Sequence, residues 1–142
     1  MAEKPKLLVL DASVVAKWFI HEPDSPIASQ LLTDAVSGRW LFAIPELLRL
    51  ELSHIFWKHK SAGYTQRQLH LAFQELERLG VQEVPTLSLL PKAIELAYKA
   101  EIAVYDACYV ALGQSLRSPL ATFDLQLIKR IRRHSLAAIH EF

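Results

Sequence analysis

The run Leu7-Leu8-Val9-Leu10, entered through Lys6, has no polar alternation and stops on a carboxylate, Asp11. A strand with both faces hidden from water has this pattern, and such strands belong to parallel sheets covered on each side by helices. Asp11-Ala12-Ser13 then leads into Val14-Val15-Ala16-Lys17-Trp18, a second apolar stretch too long to be another strand. In open α/β sheets, ligands bind in the crevice beyond the carboxyl ends of the strands, which is where Asp11 falls. Its plain structural role would be to cap the following helix.

The same grammar recurs along the chain. Residues 13–20 read as a short helix, Glu22-Pro23-Asp24-Ser25-Pro26 as a break, and Ile27, Leu31, Leu32, Ala35 and Val36 as a helix stopped by Gly38. Trp40 to Ile44 is a strand ended by Pro45. Glu46 to about Ala62 reads as one long helix with Gly63 as its stop, and Thr65 caps another through Leu79. A weak strand over 81–84, helices over 87–100 and 103–116, a strand over 120–123, a helix over 124–133 and a strand over 136–139 complete the pattern. Strands alternating with helices predict βαβ units around a parallel sheet. With 142 residues and no linker, repeat or low-complexity segment, residues 1–142 are expected to form a single α/β domain.

Composition narrows the function classes. At 51% apolar and 22% charged residues, the chain is an ordinary globular one and not a disordered one. A net charge of +1 supplies no global attraction to nucleic acid or membrane, so any such binding must come from a local patch. The single cysteine, Cys108, excludes an intrachain disulfide and a cysteine-based zinc site, and it suits a reducing compartment. No apolar run approaches the length of a membrane span, and the first residues do not resemble a signal peptide. The expectation is a cytoplasmic protein with no membrane partner.

Three more carboxylates stand out. Glu51 lies on the predicted 46–62 helix among Leu47, Leu48, Leu50, Ile55 and Trp57, and shares a face with Leu47, His54 and Ile55. A carboxylate on an apolar stripe is costly unless it is paired or bound to a cation, so a buried ion pair is the plain alternative. Asp106 is bracketed by Ile102-Ala103-Val104 and Tyr109-Val110-Ala111, and Asp124 repeats the strand–acid–helix order of Asp11. Helix capping accounts for either one alone. Several carboxylates in one crevice repel, raise one another's pKa and favour a bound cation. Oxygen ligands of this kind suit Mg²⁺ or Mn²⁺, which can activate a water and stabilise charge on a phosphodiester.

Four stretches carry a resemblance: Leu10-Asp11-Ala12-Ser13-Val14-Val15-Ala16-Lys17-Trp18-Phe19, Pro45 to Glu51, Tyr105-Asp106-Ala107-Cys108-Tyr109 through Leu112, and Ala121-Thr122-Phe123-Asp124. In this order, across nearly the whole chain, they resemble PIN domains, especially the VapC-type toxins of toxin–antitoxin pairs. The resemblance implies a three-layer α/β/α fold with a parallel sheet of about five strands. It also implies a metal-dependent endoribonuclease whose acid quartet is Asp11, Glu51, Asp106 and Asp124, with Ser13 and Thr122 as supporting hydroxyls. Products with a 3′-hydroxyl and a 5′-phosphate, a homodimer and a cognate antitoxin are further implications. There is one departure: many relatives carry Asn three residues after the glutamate, where this chain has His54. An imidazole there can hydrogen-bond a carboxylate, ligate metal or titrate near neutrality, while a packed histidine is the plain alternative.

Lys129, Arg130, Arg132 and Arg133 form the clearest basic cluster, and with Lys17 they are candidates for holding RNA phosphates. The plain alternative is a solvated helix end that complements the helix dipole. Trp18, Trp40 and Trp57 have rings that can stack on RNA bases, but each sits in an apolar run and reads rather as core or interface, and Ile20, Phe56 and Trp57 read as apolar helix surface for a protein partner. Two other classes compete with the nuclease. A phosphoacceptor signalling domain would want an acidic pair near the first strand and a lysine after the last, which Leu136 to His140 does not offer. A catalytically silent PIN-like RNA-binding or assembly module would have no reason to keep four costly carboxylates.

Overall fold

The computed structural model describes residues 4–142. Strand β1 (Lys6–Leu10) lies between β2 (Trp40–Pro45) and β4 (Leu120–Ala121), and β3 (Gln82–Val84) extends the sheet beyond β2; every pairing is parallel. Leu8, Val9 and Leu10 are all fully buried. Successive side chains of a strand point to opposite faces, so burial of three in a row requires cover on both faces. That cover comes from α1 (Ala12–Phe19), α2 (Ser25–Val36), α3 (Leu47–Lys58), α4 (Gln66–Arg78), α5 (Thr86–Ala100), α6 (Val104–Leu116) and α7 (Leu125–Arg133). Helix α6 is buried continuously from Ala107 to Gly113, packed against β1, β2 and β4 and covered in turn by α5. The expected α/β domain with helices flanking a parallel sheet is therefore present. Among the described residues no helix is long and apolar enough to cross a membrane.

Local chemistry explains where elements end. Thr65 accepts a hydrogen bond from the Gln68 amide at 3.3 Å, while Gln68 Oε1 accepts one from the Thr65 amide at 2.8 Å, a reciprocal cap that starts α4. The predicted 46–62 helix is shorter than expected. Its last turn tightens at His59, whose amide is shared between the carbonyls of Ile55 and Phe56, and a single 3₁₀ turn (Lys60–Ala62) follows. Gly63 is the stop, in the left-handed region at φ 95°.

The expected fifth strand, 136–139, is reduced to one parallel bridge between Leu120 and Ile139. The cause lies in β4, which spans only Leu120 and Ala121 before the chain turns to bring Thr122 and Asp124 to the crevice. A two-residue edge offers little to pair with.

The strand order β3-β2-β1-β4 means that the chain leaves β1 toward β2 and later returns to its other side as β4. That reversal opens a crevice at the carboxyl ends of β1 and β4.

Candidate active site

The register Val9 to Leu120 and Leu10 to Ala121 sets Asp11 beside Thr122, and the Asp11 amide donates to the Ala121 carbonyl at 3.1 Å. Although Asp11 precedes α1, its side chain makes no capping bond to that helix. Its carboxylate turns into the crevice and is only 6% exposed. Oδ2 accepts from Thr122 Oγ1 at 2.6 Å and from Ser13 Oγ at 3.3 Å. These hydroxyls are themselves fixed: Ser13 Oγ accepts from the Phe123 amide and Thr122 Oγ1 from the Asp124 amide, each at 3.1 Å. Burial pushes the Asp11 carboxyl above its ordinary range, and its hydroxyl donors, Thr122 foremost, pull it partly back.

Glu51 enters from the second turn of α3. Tyr109 on α6 donates its hydroxyl to Glu51 Oε1 at 2.6 Å. Burial raises the Glu51 carboxyl, the tyrosine bond lowers it, and the charge of Asp11 raises it again. Tyr109 is itself pushed far above its ordinary range by burial and by the charges of Glu51 and Asp11, so it stays a donor. Nothing in the apolar run around Tyr109 marked it as a partner of Glu51. Only the need of a buried carboxylate for a donor could have pointed to it.

Asp106 sits in the first turn of α6, where a helix N-terminus favours negative charge. Even so its carboxyl is pushed up to about 7, first by burial and then by the charges of Asp11, Asp124 and Glu51. The charges of the other three predicted acids, far apart in sequence, thus reach Asp106. Asp124 differs from the others. Its Oδ1 accepts from the amides of Gln126 and Leu127, both at 3.1 Å, so the capping role is real. Its other oxygen is left for the crevice, where Asp124 and Asp106 line a cavity of about 250 Å³ together with Gln126 and Arg130.

A donor set of carboxylates and hydroxyls matches Mg²⁺ or Mn²⁺ in chemistry. Among the described residues, however, no group of three or more His, Cys, Asp or Glu side chains is arranged to hold a metal ion outright.

The basic residues divide. Arg130 reaches the crevice wall and is steadied by the carbonyl and carboxylate of Glu101. Lys129 and Arg133 are exposed on α7, and Arg132 pairs with Glu141. Lys17 is not a free phosphate ligand, because its Nζ lies 2.7 Å from Glu22 and 2.8 Å from Asp24, tying α1 to the start of α2. His54 is exposed and stacks on Trp57, with no ring nitrogen paired to a carboxylate. It is neither the packed histidine of the plain reading nor part of the acid cluster. Ile20 and Phe56, expected at the surface, are buried, whereas Trp57 is exposed.

Fold and site together define an α/β domain that gathers carboxylates from two strand ends and two helices at its topological switch point. The chain belongs to the PIN domain family, whose model matches residues 8–133. It is 30% identical over 131 residues to Ribonuclease VapC3 of Pyrobaculum aerophilum, covering 87% of this chain and 93% of that protein. The fold is shared with VapBC2 of Rickettsia felis, solved with a fragment of promoter DNA, at a TM-score of 0.68 and 17% identity over 96% of this chain and 98% of that one. It is shared too with VapC20 of Mycobacterium tuberculosis, described as a Sarcin-Ricin loop cleaving toxin, at a TM-score of 0.66 and 16% identity over 86% of this chain and 93% of that one.

Proposed function

We propose that this chain is a VapC-type endoribonuclease, the toxin of a toxin–antitoxin pair, that hydrolyses RNA phosphodiesters with the help of Mg²⁺ or Mn²⁺. The observation that carries the proposal is the gathering of Asp11, Glu51, Asp106 and Asp124 at one crevice, where burial first and then the charges of the other three raise Asp106 to about 7. Four acids at one crevice are poorly explained by stability, since burial there works against the charge of Asp11, Glu51 and Asp106. The similarity to a ribonuclease over nearly the full length of both chains supports the same reading.

In this reading Asp11, Asp106 and Asp124 hold the cation and Glu51 completes the cage. Bound there, the cation would supply an activated water and neutralise charge building on the phosphate. Thr122 and Ser13 aim the Asp11 carboxylate. Glu51, with one oxygen occupied by Tyr109, has the other to orient a water or accept its proton. Arg130, Lys129 and Arg133 steer the RNA backbone toward the crevice.

Structural neighbours that are toxin–antitoxin assemblies support an antitoxin partner. Exposed Leu50, Val104 and Tyr105, around an apolar cavity of about 410 Å³, support a protein interface such as a homodimer. The one cysteine, Cys108, is buried and free, as suits action in the cytoplasm. The test is cleavage of RNA with and without EDTA, by the wild type and by Asp11→Asn. Cleavage should vanish with EDTA, return with Mg²⁺ or Mn²⁺, and be absent from a variant that is folded by circular dichroism. Full activity in Asp11→Asn would refute the proposal.

A further inference from the structure

We infer that the elbow between α3 and α4 is a second RNA subsite, which stacks an unpaired base of the strand whose backbone is cut at the acid cluster. The identity of that strand rests on the nuclease reading above. The elbow holds a cleft of about 350 Å³ whose walls include Phe56, Trp57, Lys60, Tyr64 and Leu69, and none of the residues lining it is acidic. Trp57 is 59% exposed at the end of α3, so most of its ring contributes nothing to the core. His54 stacks against it with ring centroids 5.5 Å apart and planes at 23°, and Lys60 Nζ lies 4.0 Å from the indole centroid.

The elbow segment itself carries charge of a single sign. From Glu51 to Glu75 the sequence holds no acidic residue between the two, yet it carries Lys58, Lys60 and Arg67. In a chain of net charge +1, that is a local field of the kind phosphates follow. An exposed, already stacked aromatic pair beside flexible cations takes up an unpaired base through its π-face, without regard to sequence. Lys60 is exposed and can swing from the indole face to the phosphate of the incoming nucleotide. Trp57 follows Glu51 by six residues on one helix, a rise of about 9 Å and roughly a third of a turn round the axis, so a strand that meets both crosses the helix between them. A peptide partner would favour a continuous apolar stripe, whereas Ser53, Thr65 and Gln66 interrupt this one.

The test is binding without cleavage. Fluorescence anisotropy of a labelled single-stranded RNA of ~12 nucleotides is measured in EDTA with the full chain, and again with Trp57→Ala and Trp57→Phe. Trp57→Ala should weaken binding about tenfold, Trp57→Phe should retain most of it, and affinity for duplex RNA of equal length should not change. Equal affinity in all three proteins, or no binding by the wild type, overturns the subsite. So does a change of oligomeric state in Trp57→Ala by light scattering, which would make the elbow a protein interface. Because binding is read in EDTA, the two readings fail separately. Trp57-dependent binding without cleavage under any metal condition would sink the nuclease alone, and cleavage with silent Trp57 variants would sink the subsite alone.

Discussion

Replacing Asp106 with Asn should stabilise the protein above neutral pH and have little effect in acid. The folded-state pKa of Asp106 is about 7 against an ordinary value of 3.8, so folding favours its protonated form. Below the ordinary value the group is protonated in both states and imposes no penalty. As pH rises through the window between the two values, the unfolded chain gives up the proton while the folded one retains it, and stability falls. Above about 7 the penalty is complete and constant. Three units at 1.36 kcal/mol each set a ceiling of about 4 kcal/mol. Asp106 is partly exposed, so solvent screening reduces this to ~1–2 kcal/mol, or ~3–6 °C for a chain of this length. Asparagine has the same shape and no charge, so it removes the penalty without creating a cavity. Thermal unfolding followed by circular dichroism in EDTA, at about pH 4 and about pH 8, measures the difference directly. The variant's advantage should exist only at the higher pH and should shrink when Mg²⁺ or Mn²⁺ binds the wild type. An equal offset at both pH values, or a variant less stable at the higher one, would refute the claim that burial and neighbouring charge together disfavour the ionised Asp106.

Three further outcomes are expected. Thr122→Ala removes the 2.6 Å donor to Asp11 and should slow RNA cleavage ~10–100-fold, with Thr122→Ser recovering most of the rate in the same assay. Tyr109→Phe should lower stability by ~1–2 kcal/mol in denaturant unfolding, because a half-buried carboxylate loses its 2.6 Å donor; an unchanged midpoint would show that Glu51 is held by other means. Lys17→Met should cost ~1 kcal/mol by breaking its pairs with Glu22 and Asp24, yet leave RNA affinity and its salt dependence as they were.

The sequence revealed most of the fold because its signals were local. The unalternated β1 run, the Thr65 cap, the Gly63 stop and the strand–acid–helix order at Asp11 and Asp124 are each readable within a few residues. What stayed hidden depends on long-range geometry. The Tyr109 hydroxyl finds Glu51 across 58 positions, and the bond of Thr122 to Asp11, across 111, was reachable only through the family resemblance. Helix phase was the weak point on α3. Leu50 and Trp57 are exposed and Phe56 is buried, which periodicity in so apolar a helix cannot resolve. Two helix ends were also unmarked by glycine, since Glu101 and Arg117 take the left-handed conformation at φ 54° and φ 51°.

Asp124 holds two offices, and they will not be lost together. Its carboxylate starts α7 as well as facing the crevice, and removing such a cap costs ~1 kcal/mol whether or not any RNA is cut. In a lineage that drifted out of catalysis, selection for a folded chain would go on protecting this aspartate. Asp106, whose charge opposes folding, would be released first. Among descendants of such a chain, an intact Asp124 would therefore say little about whether the enzyme still works, and an intact Asp106 would say a great deal.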